Sequence, residues 1–353
     1  MKKILFIPVL FSVIIYCSCN NQTSHKPVEA TMKTDSTTSS VGRIEIFDQA
    51  AAGIIDSNAS IEIIGRNYHW SEGPVWVAAK QMLLFTDVPE NKIYQWNMKD
   101  TPVIYLTPSG YTGTIKRIGG EDGANGLALD KDGHLLMCQS GNRQVVRLNA
   151  SLDAPKPAFT VLSASYNGKK YNSPNDLVAD SKGNIFFTDP IYGLPQREND
   201  STRELRFEGV YKINAAGKTS LLIDSIKRPN GIGLSPDEKI LYVATSDDIH
   251  PGWFAYQLDE KQNIKSGGIL LDATVLMANA TVKQGADGFK VDQAGNIFSA
   301  GPDGINIISP AGKRLALIRI NKRRISNCAF NETKDLLYIT ANDLVLKVKL
   351  HSR

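Results

Sequence analysis

Six polar residues recur in one phase along this chain: Glu72, Asn125, Asn175, Asn230, Asp287 and Asn327. Each opens a short apolar-rich run, and successive openings lie 53, 50, 55, 57 and 40 residues apart. None of the six is basic, and two are carboxylates. If the runs are strands whose starts converge, six side-chain oxygens ring one small space, where unneutralised carboxylates repel each other strongly. A divalent cation resolves that repulsion. With no Cys or His among the six, the set suits calcium, or magnesium or manganese, better than zinc. Such an ion can polarise a carbonyl or phosphoryl oxygen and orient a water beside it. A single Asn or Asp opens strands merely because it suits turn geometry. Recurrence in phase, with Glu72 included, favours the ion.

The elements that must position these residues are legible in the same pattern. From Arg43 onward, short β-rich runs alternate with Gly/Asn/Asp turns, and no long stretch has a 3.6-residue period. Each unit gives a first strand, a turn on D-x-x-G or an equivalent, a second strand and then further strands such as Gln144–Leu148. A period of 40 to 57 residues with about four strands per unit predicts an all-β, six-bladed β-propeller over residues 43–353. The first strand of each blade then lines the central channel, so the six opening residues face the axis at one end. Ile44–Phe47 and Ile61–Ile64 precede the first unit and are expected to supply outer strands that close the ring with the last blade.

Five short motifs stand in order at blade spacing: Ser71-Glu72-Gly73-Pro74-Val75-Trp76, Gly123-Ala124-Asn125-Gly126-Leu127, Ser173-Pro174-Asn175-Asp176-Leu177, Pro229-Asn230-Gly231 and Ala286-Asp287-Gly288. On them the chain resembles the regucalcin, gluconolactonase and luciferin-regenerating enzyme family. Phe187-Thr188-Asp189-Pro190 and Tyr192-Gly193 bring it nearest the bacterial gluconolactonase branch. The resemblance implies a six-bladed propeller with one divalent ion held by Glu72, Asn175, Asn230 and Asp287. It also implies a hydrolase that opens a sugar lactone such as glucono-1,5-lactone to the aldonic acid. Asp287 is the expected base or nucleophile. Asn125, Asp176 and His250 are candidates for contact with substrate. The chain departs from the family at Cys138-Gln139-Ser140-Gly141, at Thr245-Ser246 and at Ser173-Pro174, where Cys-Glu-His-Gly, Asp-Thr and an arginine are often found. Two other readings stay open: a non-catalytic propeller that binds a sugar or protein, and an esterase or phosphotriesterase on the same calcium site.

The N-terminus reads as an address. Met1-Lys2-Lys3 precedes a 13-residue run, Ile4 to Tyr16, that is too short to span a bilayer. Cys17-Ser18-Cys19 follows and resembles a lipobox, with residues 1–18 a lipoprotein-type signal peptide and Cys19 the lipidated residue. Residues 19–42 are polar enough to remain a disordered tether. A periplasm-facing lipoprotein of the cell envelope follows, touching membrane only through this anchor, or a secreted protein if Cys19 carries no lipid. The net charge of +4 comes without Lys/Arg runs interleaved with aromatics, which excludes a nucleic-acid partner. A monomer with a small-molecule partner is expected, and Cys138 and Cys328 read as buried thiols rather than a bridge.

Overall fold

In the computed structural model, which describes residues 41–115 and 117–351, six antiparallel sheets, five of four strands and one of five, form the blades, and a two-stranded ribbon stands apart from them. The leader, Cys19 and most of the tether lie outside the described residues. The blades' inner strands are Ser71–Val77, Ala124–Leu129, Leu177–Ala179, Pro229–Leu234, Phe289–Val291 and Asn327–Phe330, for blades 1 to 6. No helix among the described residues is long and apolar enough to cross a membrane.

The hydrophobic core is not central. It is divided into six clusters, one between each pair of adjacent blades. The second strands show why. In Met82–Asp87, Met82 and Leu84 pack toward blade 2, whereas Leu83 and Phe85 pack toward blade 6. In blade 2, Leu135 and Met137 face blade 1, and Leu136 and Cys138 face blade 3. A strand buried on both faces alternates direction with period two yet must be apolar at every position. That is the origin of the continuous runs MLLF and LLMC.

The turns between inner and second strands are built from the D-x-x-G signal itself. Asp130 Oδ1 accepts the N–H groups of Asp132 and His134, each at 2.9 Å. Asp180 and Asp292 repeat the arrangement in blades 3 and 5. Local side-chain acceptance of backbone donors fixes the turn before any long-range packing.

The ring closes differently from the expectation. Ile61–Arg66 does become the outer strand of blade 6, pairing with Leu344–Lys349. Gly42–Ile46, however, adds a fifth strand to blade 5, pairing with Arg314–Ile320. The bidentate contact of Arg319 with Glu45, at 2.6 and 3.1 Å, anchors it there. Two consecutive N-terminal strands therefore bind two adjacent blades.

Candidate metal and hydrolytic site

The inner strands open onto a cavity of about 610 Å³ whose wall includes Glu72, Asn125, Asn175, Asn230 and Asp287. In blades 1, 2 and 4, the pairing between inner and second strands carries one extra residue on the inner strand, between Glu72 and Val75, Ala124 and Leu127, and Pro229 and Ile232. A bulge of this kind re-aims the side chain it contains. Here the bulge contains Asn125 and Asn230 and directly follows Glu72, all three on the cavity wall. The glycine after the site residue is a packing requirement as well as a conformational one. Gly73 has φ +49°, and a Cβ there would sit 2.0 Å from the carbonyl oxygen of Asn125. A Cβ on Gly231 would stand 2.4 Å from the Asp287 carbonyl oxygen. Blades therefore converge closely enough for their site residues to share one cavity.

The donor set fits a hard cation. Asn230 Nδ2 donates to Ser246 Oγ at 2.9 Å, and that hydroxyl donates to the Ala286 carbonyl at 2.8 Å. This fixes the amide and leaves Asn230 Oδ1 buried with no hydrogen-bond partner. Asn175 Oδ1 is likewise buried and unpartnered. Orphaned buried oxygens are costly unless something satisfies them. Glu72 accepts the Gly73 N–H at 2.6 Å, and Asp287 accepts the Gly288 N–H at 3.0 Å. Burial, reinforced by the charge of Asp287, pushes the Glu72 carboxyl well above the usual carboxylate range. Burial also raises Asp287, with Asp176 and Glu121 adding repulsion. Two orphan carbonyls and two carboxyls disfavoured as bare anions make an oxygen site suited to calcium or a similar ion.

Three expected site residues are not on the cavity wall. Asn327 opens a strand with no extra residue, pairing directly with Thr340. Its Nδ2 lies 3.4 Å from Glu72 Oε2 and 3.3 Å from Asp176 Oδ2, so it bridges within the channel behind Glu72. Asp176 is drawn to the same place: it accepts from its neighbour Leu177 N–H at 2.9 Å and from Asn327. His250 sits exposed on the loop before Gly252–Leu258, where Pro251 turns the chain into the strand. Neither Asp176 nor His250 lines this cavity. Cys138 and Cys328 are both buried free thiols. A separate trio, Asp130, Asp132 and His134, has its ligand atoms within 4.8 Å, but it forms the turn at the far end of the strand that Asn125 enters, with Asp130 occupied by backbone donors.

Other residues enter the site beside the six strand openings. Glu121 accepts from Asn125 Nδ2 at 3.1 Å, and its burial raises its carboxyl. Tyr192 lines the cavity, where burial and then the Asp287 charge hold its phenol protonated far above the ordinary range. Four cations, Arg197, Arg228, Lys283 and Arg324, also line it. Arg228, Lys283 and Arg324 come from loops between blades and Arg197 from the long connection between the second and third strands of blade 3; the lengths of these segments vary and carry no periodic signal. The Gly-Ala-Asn-Gly motif, which starts two residues after Glu121, was the available pointer. Two family departures acquire roles: Ser246 orients Asn230, and Ser140 Oγ donates to the Pro174 carbonyl at 2.9 Å, bracing the turn that carries Asn175.

Known proteins bear the same architecture. A 36% identical gluconolactonase from Zymomonas mobilis aligns over 321 residues, 88% of this chain and 87% of the relative. Regucalcin from Sus scrofa is 24% identical over 281 residues, 78% of this chain and 83% of its own. Among solved structures, a gluconolactonase from Xanthomonas campestris superposes with a TM-score of 0.75 at 26% identity, covering 87% of this chain and 95% of that one. A family model described as SMP-30/Gluconolactonase/LRE-like region matches residues 70–343, and this chain belongs to that family.

Proposed function

We propose that the protein is a divalent-cation-dependent lactone hydrolase acting on a sugar lactone. The observation that carries this reading is the convergence of Asn175 Oδ1 and Asn230 Oδ1, both buried without partners, on the cavity that holds Glu72 and Asp287. Its relatives named gluconolactonase support the choice of a cyclic ester. The four residues would hold the cation, calcium first. When bound, the ion supplies polarisation of the ester carbonyl.

The chain's own groups do the rest. Asp287 takes a proton from the attacking water as its oxygen bonds to the carbonyl carbon. The same proton passes to the ring oxygen as the ring C–O bond breaks, leaving a hydroxy acid. Asn230, clamped by Ser246, keeps its oxygen fixed. Glu72 is held by the Gly73 N–H and by Asn327, so its role is to position rather than to move a proton. Asn125, tied to Glu121, offers a polar contact to a sugar hydroxyl.

The test uses the full chain stripped with chelator and supplied with glucono-1,5-lactone, followed by pH-stat with the uncatalysed opening subtracted. Turnover is expected to be at background and to rise at least a hundredfold as calcium is titrated in. Calcium binding without turnover of any lactone would overturn the hydrolase reading. The same proposal places the enzyme in the cell envelope as a lipoprotein, supported by the Cys17-Ser18-Cys19 pattern after a short apolar run. Metabolic labelling with a fatty acid is expected to mark the full chain and to fail in Cys19→Ala; equal labelling of both would sink the anchor.

A further inference from the structure

Two loops reach the cavity mouth together, residues 280–286 leading into blade 5 and 321–326 leading into blade 6. They are stapled by reciprocal bonds: Gln284 Nε2 donates to the Ile325 carbonyl at 2.7 Å, and the Ile325 N–H donates to Gln284 Oε1 at 2.8 Å. Lys283 and Arg324 stand one residue from the staple on either loop, and both line the cavity. Among the described residues neither has an acidic partner. The contrast with the next residue is direct, since Arg323 is gripped by both oxygens of Asp343 at 2.7 and 3.2 Å.

The other charges on the wall are accounted for. Arg228 is held by Asp248 at 2.6 Å and Glu198 at 3.2 Å. Arg197 lies 5.7 Å from the centre of the Tyr192 ring, and its charge acts on Glu121. Glu72 and Asp287 face the proposed cation. What remains is a pair of like charges on one cavity wall, each a single residue from the staple. At the mouth of a concave site such charges draw and orient anions. The arginine offers a planar fork to two oxygens, and the lysine a compact charge beside it.

We infer that the lactone opened here carries an anionic group of its own, a carboxylate or a phosphate monoester, gripped by Lys283 and Arg324 while its ring carbonyl lies toward Asp287. The inference rests on the lactonase reading and narrows its substrate class. The experiment compares kcat/KM of the calcium-loaded full chain on glucono-1,5-lactone, 6-phosphoglucono-1,5-lactone and glucaro-1,4-lactone. One of the two anionic lactones is expected to exceed the neutral one by at least tenfold, and which of them does so distinguishes phosphate from carboxylate. That advantage is expected to shrink with added salt. In Lys283→Gln/Arg324→Gln, the anionic-to-neutral ratio is expected to fall by tenfold or more, mainly through KM. Calorimetry of the hydroxy-acid products supplies a readout independent of turnover, with 6-phosphogluconate or glucarate binding at least tenfold more tightly than gluconate. A neutral lactone preferred at all salt concentrations, or a ratio untouched by the double substitution, would overturn the inference. If no lactone is opened but the anionic products still bind preferentially, the lactonase reading fails and the anion grip stands.

Discussion

Replacing Asp287 by asparagine is expected to lower kcat by about a thousandfold or more at saturating calcium, within the range a positioned general base contributes. The substitution keeps the side chain's size and one carbonyl oxygen for the ion, and removes the only group in the proposed mechanism that takes a proton. Calcium affinity is expected to weaken by roughly ten- to a hundredfold, because one negative ligand is lost from a buried site. The two effects separate when turnover is measured across a calcium titration. Glu72→Gln provides the contrast: its defect should lie mainly in affinity and recover substantially at high calcium, since Glu72 is held by Gly73 and Asn327. Full recovery of Asp287→Asn at high calcium would reduce Asp287 to a ligand.

Acidity should act on the stripped and the loaded protein in opposite directions. In the cation-free protein, Glu72 and Asp287 keep their protons to higher pH when folded than when unfolded. The unfolded chain therefore releases protons first. The stability these carboxyls contribute is intact below the unfolded carboxylate pKa and is lost as pH rises toward the elevated folded values. Each group contributes a slope of about 1.4 kcal/mol per pH unit within that window. With calcium bound both must be ionised, so the loaded protein is stable at neutral pH and loses its advantage on acidification. If two protons are displaced, calcium affinity falls by up to about a hundredfold per pH unit below the site's own range. Asp189, which burial pushes up to about 7, adds the same downward slope to both forms and cancels in their difference. Thermal melts of both forms from pH 5 to 8 should diverge as pH rises. Parallel curves would mean that the two carboxyls do not meet the ion.

The parts of this architecture that were legible in sequence are those written by repetition. Burial on both faces makes every second strand apolar, and the D-x-x-G turns restart each unit in the same phase. Those two constraints put Glu72, Asn175, Asn230 and Asp287 at one end of the channel. Repetition does not settle where each opening side chain turns. Asn327 shares the phase but pairs directly with Thr340, and its amide turns to Glu72 and Asp176 rather than to the cavity. Asp176 is next to a wall residue in sequence, yet its carboxylate accepts from the Leu177 N–H and from Asn327. His250 looked suggestive because it lies in a loop near the mouth, and no periodic constraint tied it there. Glu121, Lys283 and Arg324 reach the site through connections of irregular length, and the Gln284–Ile325 staple is a pairing between blades. Neither has a signature along the chain. The fate of Gly42–Ile46 was equally hidden, since an amphipathic strand serves either of two adjacent sheets.

The pairing of the earliest strands with the latest blades imposes an order of events on folding. Blades 1 to 4 are each assembled from contiguous stretches and can form as soon as those stretches are available. Blades 5 and 6 acquire their outermost strands only when Gly42–Ile46 and Ile61–Arg66 meet partners 270 or more residues away, as in Gly42 with Ile320 and Arg66 with Leu344. Joining such distant segments costs chain entropy that nearby contacts do not. Until then both sheets expose unsatisfied edges, the surfaces on which strands from other molecules add. The cavity depends on the same step, because the blades carrying Asp287 and Lys283 on one side and Glu72 on the other are neighbours of that seam. Assembly of the ring and acquisition of the site are therefore expected to coincide, once Leu344–Lys349 has met Ile61–Arg66.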